Sequence, residues 1–418
     1  MEQIAITRED RKPTATDLGL LKAKQQAMTV LSQRSRFAAA EFTTVEDFFL
    51  RSSYGEARGA EGACDFTFGN PHEMPLAGLV DALARNLQPQ NPDWFAYKIS
   101  EPEPRAFIAE SLSRELALNF EPEDIALTQG AFAAIALAFR LVLDAGDEVI
   151  IPVPGWFCYA PMLRAADLVP VKVGLSEPDF DLDLEAIAAA ITPNTRMVVV
   201  NSPHNPTGRV YSRAQLQALA NLLDAASDRI GARIWLLSDE PYRRLRFDNV
   251  PFVSPAELYP WTLIDYSYGK VLLAPGQRLG YLAISPLLPI EQRQELQSAT
   301  FSVQMSMGWT FPNAIMQYSV AALETVSIDL EALAAKRDRM LHSLEQWGYK
   351  MVHPEGTFYL WGEAPGGDAV RFAETLAVQS VFVMPGTLFE RPRHFRISLT
   401  ASAEMIERAL PVFRDAAK

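Results

Sequence analysis

Between residues 125 and 285, short apolar runs alternate with segments that have the periodicity of an amphipathic helix. Helices are predicted to end near Leu143 and to cover Tyr159–Ala166, Leu184–Ile191 and Arg213–Ala226. The predicted strands begin at Ile125, Glu148, Val169, Thr195, Arg233, Trp261 and Gly280. Several strands are apolar from end to end, which is typical of a mainly parallel sheet covered by helices on both faces.

The sequence on either side of this region has a different pattern. Before it, we predict a helical piece at Leu20–Phe37, a loop at Arg51–Gly62, a short strand from Asp65, and helices at Leu76–Leu87 and Pro104–Asn119. After it, one long helical region, Pro312–Trp347, precedes several short strands and the helices Ala369–Leu376 and Ala403–Ala416.

The expected fold class is therefore α/β. A large domain contains the mainly parallel sheet flanked by helices, and a smaller α+β domain is formed from the N- and C-terminal parts. The expected boundaries are residues 1–75 for an N-terminal segment of the small domain, 76–315 for the large domain and 316–418 for the C-terminal small domain.

Composition narrows the range of partners. The 418 residues carry a formal net charge of −13, which argues against nucleic acid or an anionic membrane as a partner. Two cysteines and five scattered histidines form no metal-binding pattern, so no metal is expected. The sequence shows neither a secretory signal nor an apolar run of membrane-spanning length. We expect a cytoplasmic protein that binds a small molecule.

Lys270 lies in the apolar and aromatic stretch Ile264–Tyr281, eight positions before Arg278. Loss of hydration lowers the pKa of a lysine amine, so more of it becomes a free nucleophile. Alternatively, the side chain extends out of a buried strand into water.

Polar residues follow the predicted strands, at the edge of a parallel sheet where ligands bind. Gly130 stands where a strand passes into a helix, and the free N–H groups of a helix start favour a phosphate. Ser267 and Arg278 are suited to the same phosphate. The alternatives are a glycine needed for a tight turn, a capping serine and a surface arginine.

Four further residues have chemistry that suits a ring-shaped, charged ligand. Asp239, at the mouth of a buried strand, needs a cation such as a protonated ring nitrogen, with Tyr242 donating to a ring oxygen. The alternative is a helix-capping aspartate beside a packed tyrosine. Asn205 follows the most apolar strand in a turn-rich segment. Trp156 offers a flat face for a ring, or belongs to the core.

Arg396 lies in the strand-like segment Phe395–Leu399, where its charge needs a partner. A carboxylate ligand held by two hydrogen bonds would suit it, and an internal salt bridge is the alternative.

Taken together, these motifs resemble the fold-type I pyridoxal-phosphate enzymes, specifically the class I/II aminotransferase family, over roughly residues 60 to 415. The most specific segments are Asn205–Gly208, Ser238–Tyr242, and Ser267 through Lys270 with Arg278. Pro354–Trp361 and Arg396–Ser398 are similar to later landmarks of the family.

The resemblance implies an aminotransferase that uses pyridoxal 5'-phosphate to move an amino group between an L-amino acid and a 2-oxo acid. Lys270 would form the Schiff base and move the proton, and Asp239 would pair with the pyridinium nitrogen. Asn205 and Tyr242 would bind the ring oxygen, and Trp156 would stack on the ring. The phosphate would be held by Gly130, Ala131, Phe132, Ser267 and Arg278.

For the substrate α-carboxylate, the resemblance implies Arg396, Gly69 and Asn205. Tyr97 would reach the phosphate of a neighbouring subunit, which implies a homodimer. The aromatic residues Phe66, Phe68, Trp94 and Phe95 suggest a substrate with an apolar or mixed side chain.

The chain departs from the family pattern in an N-terminal segment that is longer and unfamiliar, and at two further places. Gly269 replaces the serine that often precedes the lysine, and Glu101–Arg105 lacks the glycine usual before a helix start. Two alternatives stay open: a lyase, cyclase or oxidase with the same cofactor, and a cofactor-sensing regulator of the same fold. The regulator is disfavoured because the N-terminal segment has no clear basic recognition helix.

Overall fold

A computed structural model describes residues 30–309 and 311–417. Its strands are β1 (Cys64–Asp65), β2 (Ile125–Thr128), β3 (Glu148–Val153), β4 (Val169–Gly174), β5 (Thr195–Asn201), β6 (Trp235–Asp239), β7 (Thr262–Ser267), β8 (Gly280–Ile284), β9 (Met351–Val352), β10 (Tyr359–Glu363), β11 (Val381–Phe382), β12 (Met384–Pro385) and β13 (His394–Ser398). The α-helices are Gln33–Arg51, Ser53–Ala57, Ala77–Asn86, Pro102–Leu116, Ala131–Val142, Tyr159–Ala165, Leu184–Ala190, Arg213–Ile230, Tyr268–Val271, Ile290–Ser306, Ala314–Tyr318, Val320–Leu323, Leu330–Gln346, Ala369–Ala377 and Ala403–Ala416.

The large sheet has seven strands in the order β2-β8-β7-β6-β5-β3-β4. β3 to β7 pair in parallel, and only β8 runs antiparallel to its neighbours β2 and β7. The central strands β5, β6 and β7 are buried almost throughout because helices cover both faces. The prediction of a mainly parallel sheet flanked by helices is confirmed.

The smaller part combines segments from both ends of the described chain. β12, β13, β10 and β9 form an antiparallel sheet, and β1 pairs in parallel with β11. Residues near position 64 are thereby joined to residues near position 381. The predicted α+β domain from N- and C-terminal parts is confirmed as an architecture, whereas its boundaries at residues 75 and 316 stay a prediction.

Two apolar layers enclose the large sheet. On one face, Leu237 and Leu263 pack against the helices Ala131–Val142 and Tyr159–Ala165. On the other, Val198 and Leu236 pack against the helix Arg213–Ile230 in a cluster that also includes Trp361 of the small sheet. The two parts of the molecule therefore share buried apolar surface, which fixes the sheet edge between them.

Several predictions for the helices were wrong in detail. The helix expected at Leu20–Phe37 instead begins after the cap Ser32 and runs to Arg51, because Val45 and Phe48 extend its buried face; residues 1–29 lie outside the described part. The loop expected at Arg51–Gly62 contains the short helix Ser53–Ala57, capped by Ser52.

The long helical region predicted at Pro312–Trp347 is divided into three helices, with side-chain caps at Asn313 and Asp329. The helix Ile290–Ser306 was missed because its apolar residues do not fall on one face, and its fully buried side chains include Arg293 and Gln304.

Candidate active site

A cavity opens at the carboxyl ends of β5, β6 and β7, where the helix Ala131–Val142 begins. It is lined by Ala131, Phe132, Ile135, Trp156, Asn201, Asn205, Asp239, Pro241, Tyr242, Ser267, Lys270, Pro275 and Arg278. Nine of these residues were singled out from the sequence as cofactor-binding. The parallel strands bring them together because their carboxyl ends meet at one edge.

Lys270 lies in the one-turn helix Tyr268–Val271, directly after β7, and its side chain is partly buried in the cavity wall. Its Nζ is 5.7 Å from the centre of the Tyr242 ring. The strand β7 before it is buried, so the short helix carries the amine from the sheet edge into the cavity. The side chain thus faces a pocket and does not extend to the outer surface.

Asp239 ends β6 and presents a carboxylate to the cavity. Its Oδ2 accepts a hydrogen bond from the Tyr159 hydroxyl, and its backbone carbonyl accepts one from Asn201 Nδ2 at 2.8 Å. Its Oδ1 is buried and has no hydrogen-bond partner among the described residues. A turn follows, not a helix, so Asp239 is not a helix cap. Such an oxygen is suited to a donor on a bound ligand.

Burial raises the pKa of Asp239, whereas the Tyr159 hydrogen bond, Asp265 and the positive charge of Lys270 lower it. The charge of the Asp239 carboxylate is therefore maintained by these three neighbours against the effect of burial. A protonated ring nitrogen at Oδ1 would stabilise the ionised form.

Gly130, Ser267 and Arg278 form a corner that suits an anion. Gly130 has φ 81° and begins the helix Ala131–Val142. The positive φ favours glycine here, and a Cβ at this position would lie 2.8 Å from Arg278 Nη2, so the arginine head group sits directly against the helix start. Arg278 is held by the carbonyls of Pro275 and Gln129, at 2.6 and 3.0 Å, with no acidic partner among the described residues.

Arg396 is buried in β13 and is held by uncharged groups. Its Nη1 donates to Asn205 Oδ1 at 2.9 Å, and its Nη2 donates to the Thr67 carbonyl at 2.7 Å. Its Nε has no partner, and no acidic side chain pairs with it within the described ranges. The internal salt bridge considered from the sequence is therefore absent there, and the buried guanidinium lacks a counter-charge.

Two aromatic rings and a glycine complete the surroundings of Arg396. Its guanidinium lies 3.9 Å from the Tyr359 ring centre and 4.9 Å from that of Phe389. A Cβ on Gly69 would lie 2.9 Å from the Tyr359 hydroxyl and closer still to Phe358. Gly69 therefore lies at the hydroxyl end of the tyrosine whose ring faces Arg396, and a side chain there would collide with Phe358; its role in substrate binding stays a prediction.

Trp156 is partly exposed in the cavity wall, with its ring centre 4.5 Å from that of Phe132 and 5.3 Å from that of Tyr159. It lines the cavity and also packs against the edge of the apolar core that contains Tyr159. Tyr97 is fully exposed and does not line the cavity, so within a single chain the structure does not bring it to the other predicted residues.

The aromatic residues proposed for the substrate side chain do not meet in this cavity. Phe66 is buried against Phe413, Trp94 stacks on Tyr318, and Phe95 faces outward. Phe68 packs beside Phe157, outside the cavity lining. Because these rings pack elsewhere, they cannot support the inference of an apolar substrate.

Four residues were missed from the sequence: Tyr159, Asn201, Asp265 and Tyr359. Asn201 accepts a hydrogen bond from the Asn205 N–H at 2.8 Å and so fixes the turn that carries Asn205. Tyr159 follows Trp156 by three residues, and Asn201 ends a predicted strand, so spacing could have indicated both. The importance of Asp265 and Tyr359 depends on neighbours from other strands, which spacing does not show.

Burial opposes ionisation of Tyr359, but Arg396 and Lys270, with a hydrogen bond from Tyr242, lower its pKa below the ordinary value. The Tyr242 and Tyr359 hydroxyl oxygens are 3.5 Å apart. Burial also raises the pKa of Tyr242, which therefore keeps a hydroxyl proton to donate.

The sequence profile of the family described as Aminotransferase class I and II matches residues 64–413. The chain belongs to this family. It is 36% identical over 359 residues to the aspartate/prephenate aminotransferase of Thermus thermophilus, which covers 83% of this chain and 89% of that protein. It is 32% identical over 322 residues to the aspartate aminotransferase of Geobacillus stearothermophilus, with 72% and 78% covered.

Solved structures of aminotransferases agree with this assignment. A Eubacterium rectale aminotransferase superposes with a TM-score of 0.81 at 28% identity, covering 94% of this chain and 97% of the other. A single mutant of Thermus thermophilus aspartate aminotransferase superposes with a TM-score of 0.78 at 32% identity, covering 93% and 100%. The expected family, fold class and aminotransferase function are confirmed.

The part of the chain that the structure describes also bears on other classes of site. No helix there is both long and apolar enough to cross a membrane. The same residues contain no group of three or more His, Cys, Asp or Glu side chains arranged to hold a metal ion.

Proposed function

We propose that this aminotransferase holds pyridoxal 5'-phosphate in the cavity described above, with Lys270 as its catalytic amine. The observation that carries the proposal is the buried, unpartnered Oδ1 of Asp239 in the same cavity as the partly buried Lys270 amine. The donor set fits the cofactor: a carboxylate for a protonated ring nitrogen, and Gly130, Ser267 and Arg278 for a phosphate dianion. When bound, the cofactor supplies a carbonyl that takes up the amino group and a ring that withdraws electrons from the substrate α-carbon.

Each of the predicted residues around the ring would make a specific contact with the cofactor. Asp239 would accept a hydrogen bond from the protonated ring nitrogen, and Tyr242, which keeps its hydroxyl proton, would turn that proton from Tyr359 to the ring oxygen. Arg396 can only donate, so its bond to Oδ1 of Asn205 turns the Asn205 Nδ2 group outward as a second donor. Trp156 covers the ring face and, with Phe132, limits access of water.

The substrate α-carboxylate binds to Arg396 in this proposal. Its guanidinium is oriented by Asn205 and Thr67 and has no acidic partner in the described structure, so an incoming carboxylate provides the missing charge. The Gly69 backbone, which lies close to the Tyr359 hydroxyl, is proposed to contact the same carboxylate. With the carboxylate fixed, the Lys270 Nζ moves the proton of the α-carbon.

The substrates are an L-amino acid and a 2-oxo acid. The relatives are named for aspartate and prephenate, so both compounds belong in the first panel of amino donors and acceptors. We also propose a homodimer, in which the exposed Tyr97 reaches the partner's phosphate site. A cytoplasmic location is inferred from the acidic composition and from two cysteines that are both buried and unpaired.

Replacement of the lysine tests the assignment. Lys270→Ala should abolish the absorbance band that the wild-type protein gains with pyridoxal phosphate, and reduction with borohydride should no longer attach the cofactor. Lys336→Ala, which removes a lysine outside the cavity, is the matched control. Unchanged absorbance and unchanged covalent attachment in Lys270→Ala would overturn the assignment.

A further inference from the structure

Asp265 stands beside the carboxylate that faces the cofactor. β6 and β7 pair in parallel, and Asp239 and Asp265 are register partners. Register partners on neighbouring strands point to the same face, so the two carboxyl groups are neighbours. Asp265 is 0% exposed, compared with 4% for Asp239, and it is not part of the cavity lining.

Nothing around Asp265 compensates for a negative charge. Its register partner on β8 is Leu282. The helix Ala131–Val142 covers this face of the sheet with Ala134 and Ile135, which form one apolar cluster with Leu237 of β6 and Leu263 of β7. Neither carboxyl oxygen of Asp265 receives an N–H or O–H hydrogen bond within the described ranges.

The other ionisable groups nearby belong to the neighbouring strand and its surroundings. The Tyr159 hydrogen bond and the Lys270 charge act on Asp239 and lower its pKa. Glu240 points to the opposite face, where the hydroxyls of Ser238 and Ser254 donate to it. No cation therefore faces Asp265 directly within the described part of the chain.

Two adjacent buried carboxyl groups cannot both be ionised without a large cost. Burial, followed by the negative charge of Asp239, raises the pKa of Asp265 well above the ordinary aspartate value. Asp239 has a hydroxyl donor in Tyr159 and a nearby cation in Lys270, whereas Asp265 has neither. The proton therefore resides on Asp265 and the charge on Asp239.

We propose that Asp265 is a positioning residue that remains protonated at neutral pH and donates its O–H to the Asp239 carboxylate. Together with Tyr159, it fixes Asp239 from the side of the sheet and leaves a single negative charge directed at the cavity. The contact between this charge and a cofactor ring nitrogen rests on the proposed function. The proton shared by the two aspartates does not depend on it.

Infrared spectroscopy of the purified full-length protein tests the proton directly, before and after saturation with pyridoxal phosphate. Because Glu240 also has a raised pKa of about 7, the comparison is made in a Glu240→Gln background, in which the protein at neutral pH should show a protonated-carboxyl C=O band that Asp265→Asn loses. Asp144→Asn, at an exposed position, should retain the band. In that background, absence of the band when Asp265 is intact, or its persistence in Asp265→Asn, would contradict the proposal.

The pH dependence of the protein's stability provides a second, independent readout. Between the ordinary aspartate pKa and its raised value, the folded protein holds a proton that the unfolded chain has lost, so stability falls as pH rises. Asp265→Asn cannot titrate, so its unfolding temperature should rise relative to wild type from about pH 5 to about pH 8. A pH-independent difference, like that of Asp144→Asn, would count against a protonated Asp265.

Cofactor affinity then tests the positioning role. Asp265→Asn keeps a donor for Asp239 and should bind pyridoxal phosphate within a few-fold of wild type. Asp265→Leu has no donor and should bind it about tenfold or more weakly, as expected for loss of a hydrogen bond to a charged group. Equal affinity of both variants would refute positioning, whereas failure of the wild type to bind the cofactor would refute the proposed function and leave the infrared result intact.

Discussion

Arg396 Nη1 donates to Asn205 Oδ1 at 2.9 Å, so the residue proposed for the substrate carboxylate is oriented by one proposed for the cofactor ring oxygen. The contact joins β13 of the small sheet to the turn that follows β5 of the large sheet. Because an arginine only donates, the amide oxygen must face it and the amide nitrogen faces the cavity. A single side chain therefore couples the two proposed binding sites.

Replacement of Asn205 by aspartate tests this coupling. Asn205→Asp would create the internal salt bridge that Arg396 lacks, and this would compete with the substrate carboxylate. We expect KM for both the amino acid and the 2-oxo acid to rise about tenfold or more, as for loss of a charged hydrogen bond. Steady-state kinetics measure this, with the exposed Asn221→Asp as control; an unchanged KM would show that Arg396 does not bind the substrate.

Gly269, which replaces the family's common serine, has a packing explanation. A Cβ there would approach Pro275 Cα at 2.9 Å, and Pro275 begins the turn that carries Arg278. We expect Gly269→Ala to displace this turn and to destabilise the protein by roughly 1–3 kcal/mol, as overpacking does. Affinity for pyridoxal phosphate should fall as well.

Gly276→Ala is the matched control, since a Cβ at that position of the same turn meets no atom within 4 Å. Thermal unfolding and equilibrium binding of the cofactor compare the two variants. If Gly269→Ala behaves like Gly276→Ala, the close approach to Pro275 does not account for the glycine.

Arg278 should act on the phosphate and not on the ring. Arg278→Gln removes the charge of a side chain that has no acidic partner in the described structure, so affinity for pyridoxal phosphate should fall about tenfold or more. Affinity for pyridoxal, which lacks the phosphate, should change little. The comparison by equilibrium dialysis uses the exposed Arg229→Gln as control. An equal loss for both ligands would indicate a general disturbance of the cavity.

Glu240 provides a pH dependence of stability with a defined sign. Burial raises its pKa from the ordinary 4.5 to about 7, although Arg243 and the hydroxyls of Ser254 and Ser238 favour the charged form. Between these two pH values the folded state keeps a proton that the unfolded chain has released, so stability falls as pH rises. Glu240→Gln removes this titration.

We therefore expect the free energy of unfolding of Glu240→Gln, relative to wild type, to increase across that pH window. The increase should be on the order of 2–3 kcal/mol, since each pKa unit corresponds to about 1.4 kcal/mol. Chemical denaturation at several pH values measures it, with the exposed Glu110→Gln as control. A relative stability that does not vary with pH would contradict a raised pKa for Glu240.

The sequence was most informative where function depends on strand ends. Asp239, Ser267 and Asn205 could be placed together because parallel strands finish at one edge, and Lys270 follows Ser267 by three residues. The contribution of Asp265 could not be predicted in this way. It lies inside a strand and becomes chemically distinctive only because its register partner is another aspartate, and registers are not visible in a single sequence.

The helical errors have similar causes. The helix Ile290–Ser306 lacks a consistent apolar face, so its periodicity gave no signal. The break before Leu330, by contrast, could have been predicted, since Asp329 accepts hydrogen bonds from the N–H groups of Glu331 and Ala332 as a helix cap.

The central claim is transamination with Lys270 as the catalytic amine, and a single half-reaction tests it most directly. The purified wild-type protein is saturated with pyridoxal phosphate and mixed with one reactive amino acid, without any 2-oxo acid. We predict one equivalent of 2-oxo acid per bound cofactor, recovery of the cofactor as pyridoxamine phosphate, and neither product from Lys270→Ala. Release of ammonia with the cofactor recovered as pyridoxal phosphate would contradict transamination and favour a lyase or oxidase.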